Sequence, residues 1–299
     1  MALGSTASTA SAHPFDLLSA GCALVLAAVA GCSAGPDRRV ERLLGAMGTE
    51  LRVEVEAADR ATALAASEAA VRATLAAEER LSNWDASSEL SRLERGELAA
   101  PSPELAADLA SYEPFVARTE SAFDPGHAGR DGVDTGGFGK GLALDLAARA
   151  VLDAGAERAR LDLGGQVRFV GATERRTVLL ADPRDRGRAV ARVELPFASI
   201  ATTGDSERPG HVVDPRTGRP VHRDASVSVS SDSALAADTL STGFYVLGPD
   251  RALELAADDV AVLALVPVGD RLELRASAAF AGRVTALTED VVVDVLGRP

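Results

Sequence analysis

The segment Glu50-Leu51-Arg52-Val53-Glu54-Val55 alternates charged and apolar residues with a period of two. That period predicts a β-strand with one buried face. Asp59 follows, and then an alanine-rich segment as far as Leu81 with apolar residues at helical spacing. Asp is a good N-cap, so a helix is predicted directly after the strand.

The rest of the chain mixes strands and helices in the same way, without a repeat or a convincing linker. Helices are predicted over residues 103–115, with Ser102 as N-cap, and over 141–154, before Gly155, and then over 233–247 and 249–257. Short strands are predicted at residues 160–163, 167–170, 178–181, 191–195, 225–230, 260–265 and 272–275. This mixture predicts a single α+β unit.

Composition excludes several classes of protein. The 299 residues are 46% hydrophobic and 25% charged, which excludes a disordered chain and a collagen-like repeat. With 31 Lys+Arg against 44 Asp+Glu, the net charge is -13. A nucleic-acid partner is not expected, because phosphate contacts need a dense basic patch. A phosphorylated ligand would need local positive charge.

The start of the chain is predicted to be an export signal. Residues 17–30 form an apolar run of signal-peptide length, and Val29-Ala30-Gly31-Cys32 resembles the lipobox of bacterial lipoproteins. We therefore expect a signal peptide over 1–31, lipid on Cys32, a tether over 32–43 and a catalytic domain over 44–299. The expected location is the extracytoplasmic face of a bacterial membrane. A plain secretory leader and a buried helix are the alternatives.

Both cysteines, Cys22 and Cys32, lie in this leader, so no disulfide or cysteine site is expected in the mature domain. Two other rare residues point to a ligand. Lys140 is the one lysine beside 30 arginines, and Trp84 is the one tryptophan. A position that keeps lysine in such a chain indicates a need for a compact ammonium group, with chance as the alternative.

Lys140 lies in the loop Asp134-Thr135-Gly136-Gly137-Phe138-Gly139-Lys140-Gly141, immediately before a predicted helix. Glycines allow a close approach of the backbone, and a helix N-terminus attracts anions, so the loop predicts a pyrophosphate site. It matches neither the Walker loop nor the G-x-G-x-x-G pattern. A purely structural glycine turn is the alternative.

Two further segments carry chemically useful side chains. Thr202-Thr203-Gly204-Asp205 and the nearby His211 offer donors to phosphate and a proton acceptor, although a histidine beside a turn is often structural. Asp238 and Thr242 are four residues apart on a predicted helix and share a face. Their oxygens suit Mg²⁺, and a solvated helix face is the alternative.

The order of these segments along residues 44–265 resembles the ApbE family, the FAD:protein FMN transferases, many of which are exported lipoproteins. The segments that carry the resemblance are Met47-Gly48-Thr49, Trp84 with Ser88-Glu89-Leu90-Ser91-Arg92-Leu93, Phe123-Asp124-Pro125, the 134–141 loop, Asp145, Leu163-Gly164-Gly165, residues 202–205, residues 211–218 and Ala237-Asp238 through Thr242.

The resemblance implies binding of FAD and Mg²⁺, with Mn²⁺ as an alternative metal, and transfer of FMN to a Thr or Ser hydroxyl of an acceptor flavoprotein with release of AMP. Residues implied for the nucleotide are Met47, Trp84, Ala122, Phe123, Asp124, Asp134, Lys140, Thr203 and Val212. Residues implied for the metal are Gly137 through its carbonyl, Asp238, Ser241 and Thr242. The catalytic set is His211, Lys140 and Asp205. The candidate bases are Asp205, Asp238 and His211, and His211 ranks first.

Departures from the family pattern keep two other functions open. Only nine residues, 126–134, follow Pro125 up to the Asp of the glycine loop, where the family has a few tens. Thr203 stands where Ser is commoner, and Ser206 replaces a usual aromatic residue. The alternatives are a FAD pyrophosphatase that yields FMN and AMP, and a degenerate FAD-binding lipoprotein without turnover.

Overall fold

The computed structural model describes residues 38–126, 132–172, 175–206 and 209–296. Within these ranges the helices are α1 Arg60–Leu81, α2 Glu89–Glu94, α3 Pro103–Ala110, α4 Glu113–Arg118, α5 Gly139–Asp153, α6 Ala234–Leu247 and α7 Pro249–Glu254. The strands are β1 Arg39–Ala46, β2 Thr49–Ala57, β3 Ala156–Leu163, β4 Gln166–Val170, β5 Thr177–Asp182, β6 Asp185–Glu194, β7 Ser199–Gly204, β8 Val213–Asp214, β9 Arg219–Pro220, β10 Ser226–Ser231, β11 Val260–Val268, β12 Arg271–Ala276, β13 Val284–Ala286 and β14 Val291–Val295.

Nine of these strands form one large sheet in the order β1-β2-β3-β4-β7-β10-β11-β12-β14. Its neighbouring strands are antiparallel, except that β12 and β14 are parallel. Three strands form a small sheet in the order β13-β6-β5, and β8 and β9 form a hairpin. Helices and strands are therefore combined in one α+β architecture, as the sequence predicts.

The central strands are buried on both faces because they lie between two hydrophobic cores. Along β11, Val260 and Val262 pack with α6 and α7, whereas Ala261, Leu263 and Leu265 pack with the small sheet. Successive side chains of a strand point to opposite faces, so a continuous apolar run serves both cores. A third core lies between α1, α5 and strands β1 to β4.

Several predicted elements are confirmed with their capping residues. Asp59 accepts a hydrogen bond from the Thr62 amide at 2.8 Å, and Ser102 caps α3 in the same way. Ser233, predicted as the first residue of its helix, is the N-cap of α6. Gly155 follows α5 with φ of +87°, a left-handed conformation that suits glycine. Local sequence signals are therefore sufficient to predict these helix ends.

Three helix boundaries differ from the prediction. The expected helix over 103–115 is two helices, α3 and α4, because Pro114 has no amide hydrogen and fits only in the first turn of a new helix. The helix expected at 249–257 ends at Glu254. Helix α5 begins at Gly139, not Gly141, so Lys140 belongs to its first turn.

The predicted tether over 32–43, and with it the domain start at 44, also differs from the structure. Strand β1 begins at Arg39 and pairs with β2 along its whole length. The two-residue turn between them, Met47 and Gly48, has φ of +49° and +72°, as expected of a tight hairpin with a primed turn. The predicted signal peptide and Cys32 lie outside the described residues. Among the described helices, none is both long and apolar enough to cross a bilayer.

Candidate active site

The glycine loop is fastened to the C-terminal end of α1 by two side chains, Asn83 and Thr135, and the Thr135 hydroxyl donates to the carbonyl of Leu81 at 2.9 Å. The amide of Asn83 donates to the carbonyl of Val133 at 2.8 Å and accepts from the backbone N–H of Thr135 at 2.9 Å. Asp134 accepts from the amide of Gly136 at 2.9 Å and so caps a short 3-10 turn. The next residue after Asn83 is Trp84, whose surface is 83% exposed. An exposed indole is therefore carried by the segment that fixes the loop.

The N-terminus of α5 forms the positive side of the site. Its N-cap is Phe138, which has no side-chain oxygen to accept from the first helical amides. Lys140 follows in the first turn, with its Nζ 3.4 Å from the carbonyl oxygen of Gly136. The helix dipole and the ammonium group therefore carry the same sign of charge at one place, which favours an anionic ligand.

Helix α6 crosses α5 at Gly141. The amide of Gly141 donates to Oδ2 of Asp238 at 2.9 Å, and Asp238 is buried. A Cβ on Gly141 would lie 2.4 Å from the carbonyl oxygen of Ala234 and 2.8 Å from Cβ of Asp238. Only glycine permits this approach, so the contact between the loop and Asp238 depends on residue 141.

Asp145 makes the reverse connection from α5 to α6. Its carboxylate accepts from the amides of Ala234 at 2.9 Å and Leu235 at 3.0 Å, and from the hydroxyl of Ser233 at 2.7 Å. One amide in the first turn of α5 thus bonds a carboxylate of α6, and two amides of α6 bond a carboxylate of α5. We call this arrangement the reciprocal cap of Asp145 and Asp238. It fixes the two helices at the place where the glycine loop ends.

Burial raises the pKa of the Asp238 carboxyl, and the Lys140 charge and the Gly141 amide oppose that rise. A desolvated carboxylate gains more from a bound cation than an exposed one does, because water no longer screens the charge. Asp238 is therefore the strongest single candidate for a cation ligand in this site.

Neutral oxygens surround Asp238. The hydroxyls of Ser241 and Thr242 donate to the Asp238 carbonyl at 3.0 and 3.1 Å, and Ser241 also hydrogen-bonds Thr203 of β7 at 2.9 Å. A Cβ on Gly137 would lie 3.2 Å from Oγ1 of Thr242, so the glycine loop touches this helix face. The structure thus brings together the four residues implied for the metal.

The chemistry of this set fits Mg²⁺. One carboxylate and several neutral oxygens suit an ion that keeps water and substrate phosphate in its shell. Within the part of the chain that the structure describes, no three His, Cys, Asp or Glu side chains form a metal-ligand cluster. A zinc-type site is therefore not formed by these residues.

Residues implied for the nucleotide border the same loop. A Cβ on Gly139 would lie 3.4 Å from Cε of Met47. A Cβ on Gly137 would lie 2.9 Å from Cε2 of Phe123. The amide of Asp134 donates to the carbonyl of Pro125 at 3.0 Å, which joins the loop to the segment that carries Asp124. The other two, Ala122 and Val212, are buried beside α6 in the core.

Asp205 follows β7, and both of its carboxylate oxygens are engaged. Oδ1 accepts from the amide of Gly210 at 2.5 Å, and Oδ2 is 3.1 Å from Nδ1 of His222. His211 is exposed, directly after Gly210. Asp205 therefore has His222 as a partner, a residue that the sequence analysis does not predict for the site.

The fold is similar to that of solved flavin transferases. The flavin transferase ApbE of Vibrio cholerae superposes with a TM-score of 0.66 at 23% identity, over 82% of this chain and 99% of the other. The flavinyl transferase ApbE of Pseudomonas stutzeri gives 0.70 at 20% identity, over 84% and 98%. At such identities the likeness establishes the architecture alone.

Sequence comparison finds similarity to proteins of the same kind over about half of the chain. Residues 128–265 match the model of the ApbE family. A FAD:protein FMN transferase of Escherichia coli K12 is 35% identical over 152 residues, 46% of this chain and 43% of that protein. One of Vibrio cholerae is 32% identical over 162 residues, 50% and 48%. The matches span less than half the length of these relatives. The resemblance to the ApbE family that the sequence predicts is therefore confirmed over this part of the chain.

Proposed function

We propose that this chain transfers the FMN moiety of FAD to a Thr or Ser hydroxyl of an acceptor flavoprotein, in a reaction that depends on Mg²⁺. One observation carries the proposal. The Gly141 amide donates to the buried carboxylate of Asp238. This contact brings Lys140 and the N-terminus of α5 next to the carboxylate and hydroxyl oxygens of α6. A diphosphate with a divalent cation requires that juxtaposition of opposite charges. The relatives named above are FAD:protein FMN transferases, which supports the choice of substrate.

In this proposal the chain holds FAD by its diphosphate. Lys140 and the first amides of α5 bind the phosphate oxygens, and Met47, Trp84 and Phe123 border the rings. Asp238, Thr242, the Gly137 carbonyl and Ser241 hold the metal. When bound, Mg²⁺ neutralises charge on the diphosphate and so makes AMP a better leaving group.

The transfer step forms one P–O bond and breaks another. The acceptor hydroxyl oxygen attacks the phosphorus of the FMN moiety, the bond from that phosphorus to the bridging oxygen breaks, and AMP leaves. The hydroxyl proton passes to a base. His211 ranks first among the candidates, because histidine is the side chain that most often serves as a general base. Water as the attacking group would give FMN and AMP instead.

A product assay tests the proposal against the two alternatives. The protein is incubated with FAD, Mg²⁺ and an acceptor peptide that contains a Thr, beside a control peptide with Ala at that position. Equal amounts of flavin-labelled peptide and AMP are expected with the Thr peptide alone. Free FMN and AMP without labelled peptide would indicate a pyrophosphatase, and intact bound FAD a binding protein.

Replacement of Lys140 by Arg should slow the reaction although the charge is kept. The guanidinium is longer and planar, so it cannot take the place of the ammonium in the first turn of α5. We expect kcat to fall about tenfold, which corresponds to roughly 1.4 kcal/mol of transition-state stabilisation. Arg39→Lys, on the outer edge of the sheet, is the matched control. Full activity of the Lys140→Arg protein would show that the reaction does not require a lysine at this position.

Trp84 provides a direct measure of FAD binding. It is the one tryptophan of the chain and is 83% exposed, so stacking on a flavin or adenine ring would change its emission. Titration with FAD in millimolar Mg²⁺ should quench the indole fluorescence with saturation, and EDTA should weaken the binding. If calorimetry registers FAD binding but the Trp84 emission stays constant, the flavin and adenine rings do not stack on Trp84.

We also propose that the chain is exported and anchored by lipid at Cys32 on the outer face of a bacterial membrane. The support is the sequence Val29-Ala30-Gly31-Cys32 after an apolar run. Membrane recovery of the protein should be lost in a Cys32→Ser variant and kept in a Cys22→Ser control. Equal membrane recovery of the Cys32→Ser and unaltered proteins would contradict the anchor.

A further inference from the structure

The two histidines of the described ranges, His211 and His222, flank the open end of one hairpin. Strands β8 and β9 pair antiparallel, and the amide of Val221 donates to the carbonyl of Val212 at 2.8 Å. One further step in that register places His211 opposite His222. The two histidines therefore lie one step beyond the last hydrogen-bonded pair of the hairpin.

His222 is tied to the segment that precedes His211. Its Nδ1 lies 3.1 Å from Oδ2 of Asp205, while Oδ1 of the same carboxylate accepts from the Gly210 amide at 2.5 Å. A Cβ on Gly210 would lie 2.6 Å from Cε1 of His222, so the ring lies against the backbone of residue 210. Asp205, Gly210 and His222 form what we call the hairpin clasp.

The clasp is better suited to positioning than to stability. The His222 side chain is 65% exposed, and an ion pair or hydrogen bond at such a site contributes little to the free energy of unfolding. Its geometric effect is larger, because it fixes the φ of +74° at Gly210 immediately before the next residue, His211. A neutral imidazole with its proton on Nδ1 and an imidazolium both donate to Asp205, so the clasp holds in either state.

We infer that His222 is a positioning residue for the transfer reaction, which fixes the backbone at His211 through Asp205 and Gly210. The inference rests on the proposed function, in which His211 takes the proton of the acceptor hydroxyl. It assigns Asp205 the role of orienting group instead of base. A base displaced by a fraction of an ångström loses much of its effect, whereas the amides of α5 and Lys140, which bind the diphosphate in the proposal, are not part of the clasp.

Steady-state kinetics of the full chain test this role. His222→Ala should lower kcat about tenfold, with the FAD affinity from Trp84 quenching unchanged. His222→Asn should recover most of the rate, because the Asn amide can donate to Asp205 from nearly the position of Nδ1. Wild-type kcat in His222→Ala, or equal losses in the Ala and Asn proteins, would overturn the assignment.

A double-variant cycle tests the contact with Gly210. Gly210→Ala should lower kcat to a similar extent, because the added Cβ displaces the ring. In the His222→Ala background the same change should cost less, since the collision is gone. Losses that simply multiply would show that Gly210 and His222 act independently.

Amide hydrogen exchange separates failure of the clasp from failure of the proposed function. Exchange at residues 210–212 should be faster in His222→Ala than in the wild type and restored in His222→Asn. This readout needs no turnover. Unchanged exchange in His222→Ala overturns the clasp even in an active transferase. Altered exchange in a chain that labels no acceptor supports the clasp and refutes the transferase.

Discussion

Replacement of Gly141 by Ala is expected to lower the free energy of unfolding by about 3 kcal/mol or more, which is the upper range for an overpacked site. The new Cβ would lie 2.4 Å from the carbonyl oxygen of Ala234. That carbonyl is backbone, and the start of its helix is held by Asp145. The clash therefore cannot be relieved by a side-chain rotation, and α5 and α6 must separate.

Thermal unfolding followed by circular dichroism measures this effect. For a chain of this size we expect the Tm to fall by roughly 6–12 °C. Gly45→Ala is the matched control, because the nearest heavy atom to a Cβ there is 4.0 Å away, and it should change stability by less than about 0.5 kcal/mol. Equal Tm values for Gly141→Ala and Gly45→Ala would show that the two helices tolerate a wider crossing.

Replacement of Asp238 by Ala is expected to eliminate Mg²⁺-dependent turnover, with kcat/KM lower by about a hundredfold or more. The change removes the carboxylate of the proposed metal site and the acceptor for the Gly141 amide. The loss of a helix-capping acceptor should also cost about 1 kcal/mol of stability. The product assay with labelled peptide measures the first effect.

Asp238→Asn separates charge from structure. Its amide oxygen can still accept from Gly141, but the charge is gone. Burial raises the pKa of this carboxyl in the folded protein, so the folded state holds the proton more tightly than the unfolded state. The ionised group therefore costs stability as pH rises between the unfolded and folded pKa values, and that cost persists at neutral pH.

Without metal, the Asp238→Asn protein should thus unfold at the same temperature as the wild type or above it. Millimolar Mg²⁺ should raise the Tm of the wild type and leave that of the Asn protein unchanged. Calorimetry of Mg²⁺ binding provides a second readout. An equal response of both proteins to Mg²⁺ would place the metal away from Asp238.

The elements that the sequence predicts well are those with local signals. Strand β2 alternates strictly, and α1 has both its Asp59 cap and its apolar spacing within the segment itself. Strand β1 escapes prediction because Arg39–Ala46 contains two adjacent leucines and does not alternate. Its pairing is imposed by the Met47-Gly48 turn and by β2, so the tether is predicted too long.

The site shows the same division between local and distant information. The glycine loop with Lys140 and the Asp238 helix each stand out locally, but a hydrogen bond across 97 residues of sequence joins them. Asn83 gave no signal, because an asparagine after a helix is usually a simple end of that helix. The sequence does carry a signal for His222, because a hairpin around the turn at residues 214–218 brings His222 near His211.

The reciprocal cap of Asp145 and Asp238 has a consequence for how the protein can move. Neither helix can shift alone without exposing amides of the other, so α5 and α6 behave as one rigid block. The cradle for a diphosphate then exists before any ligand arrives, and association carries little ordering penalty in this region. Any movement that accompanies nucleotide binding is therefore expected in the loops around the site and not between the two helices.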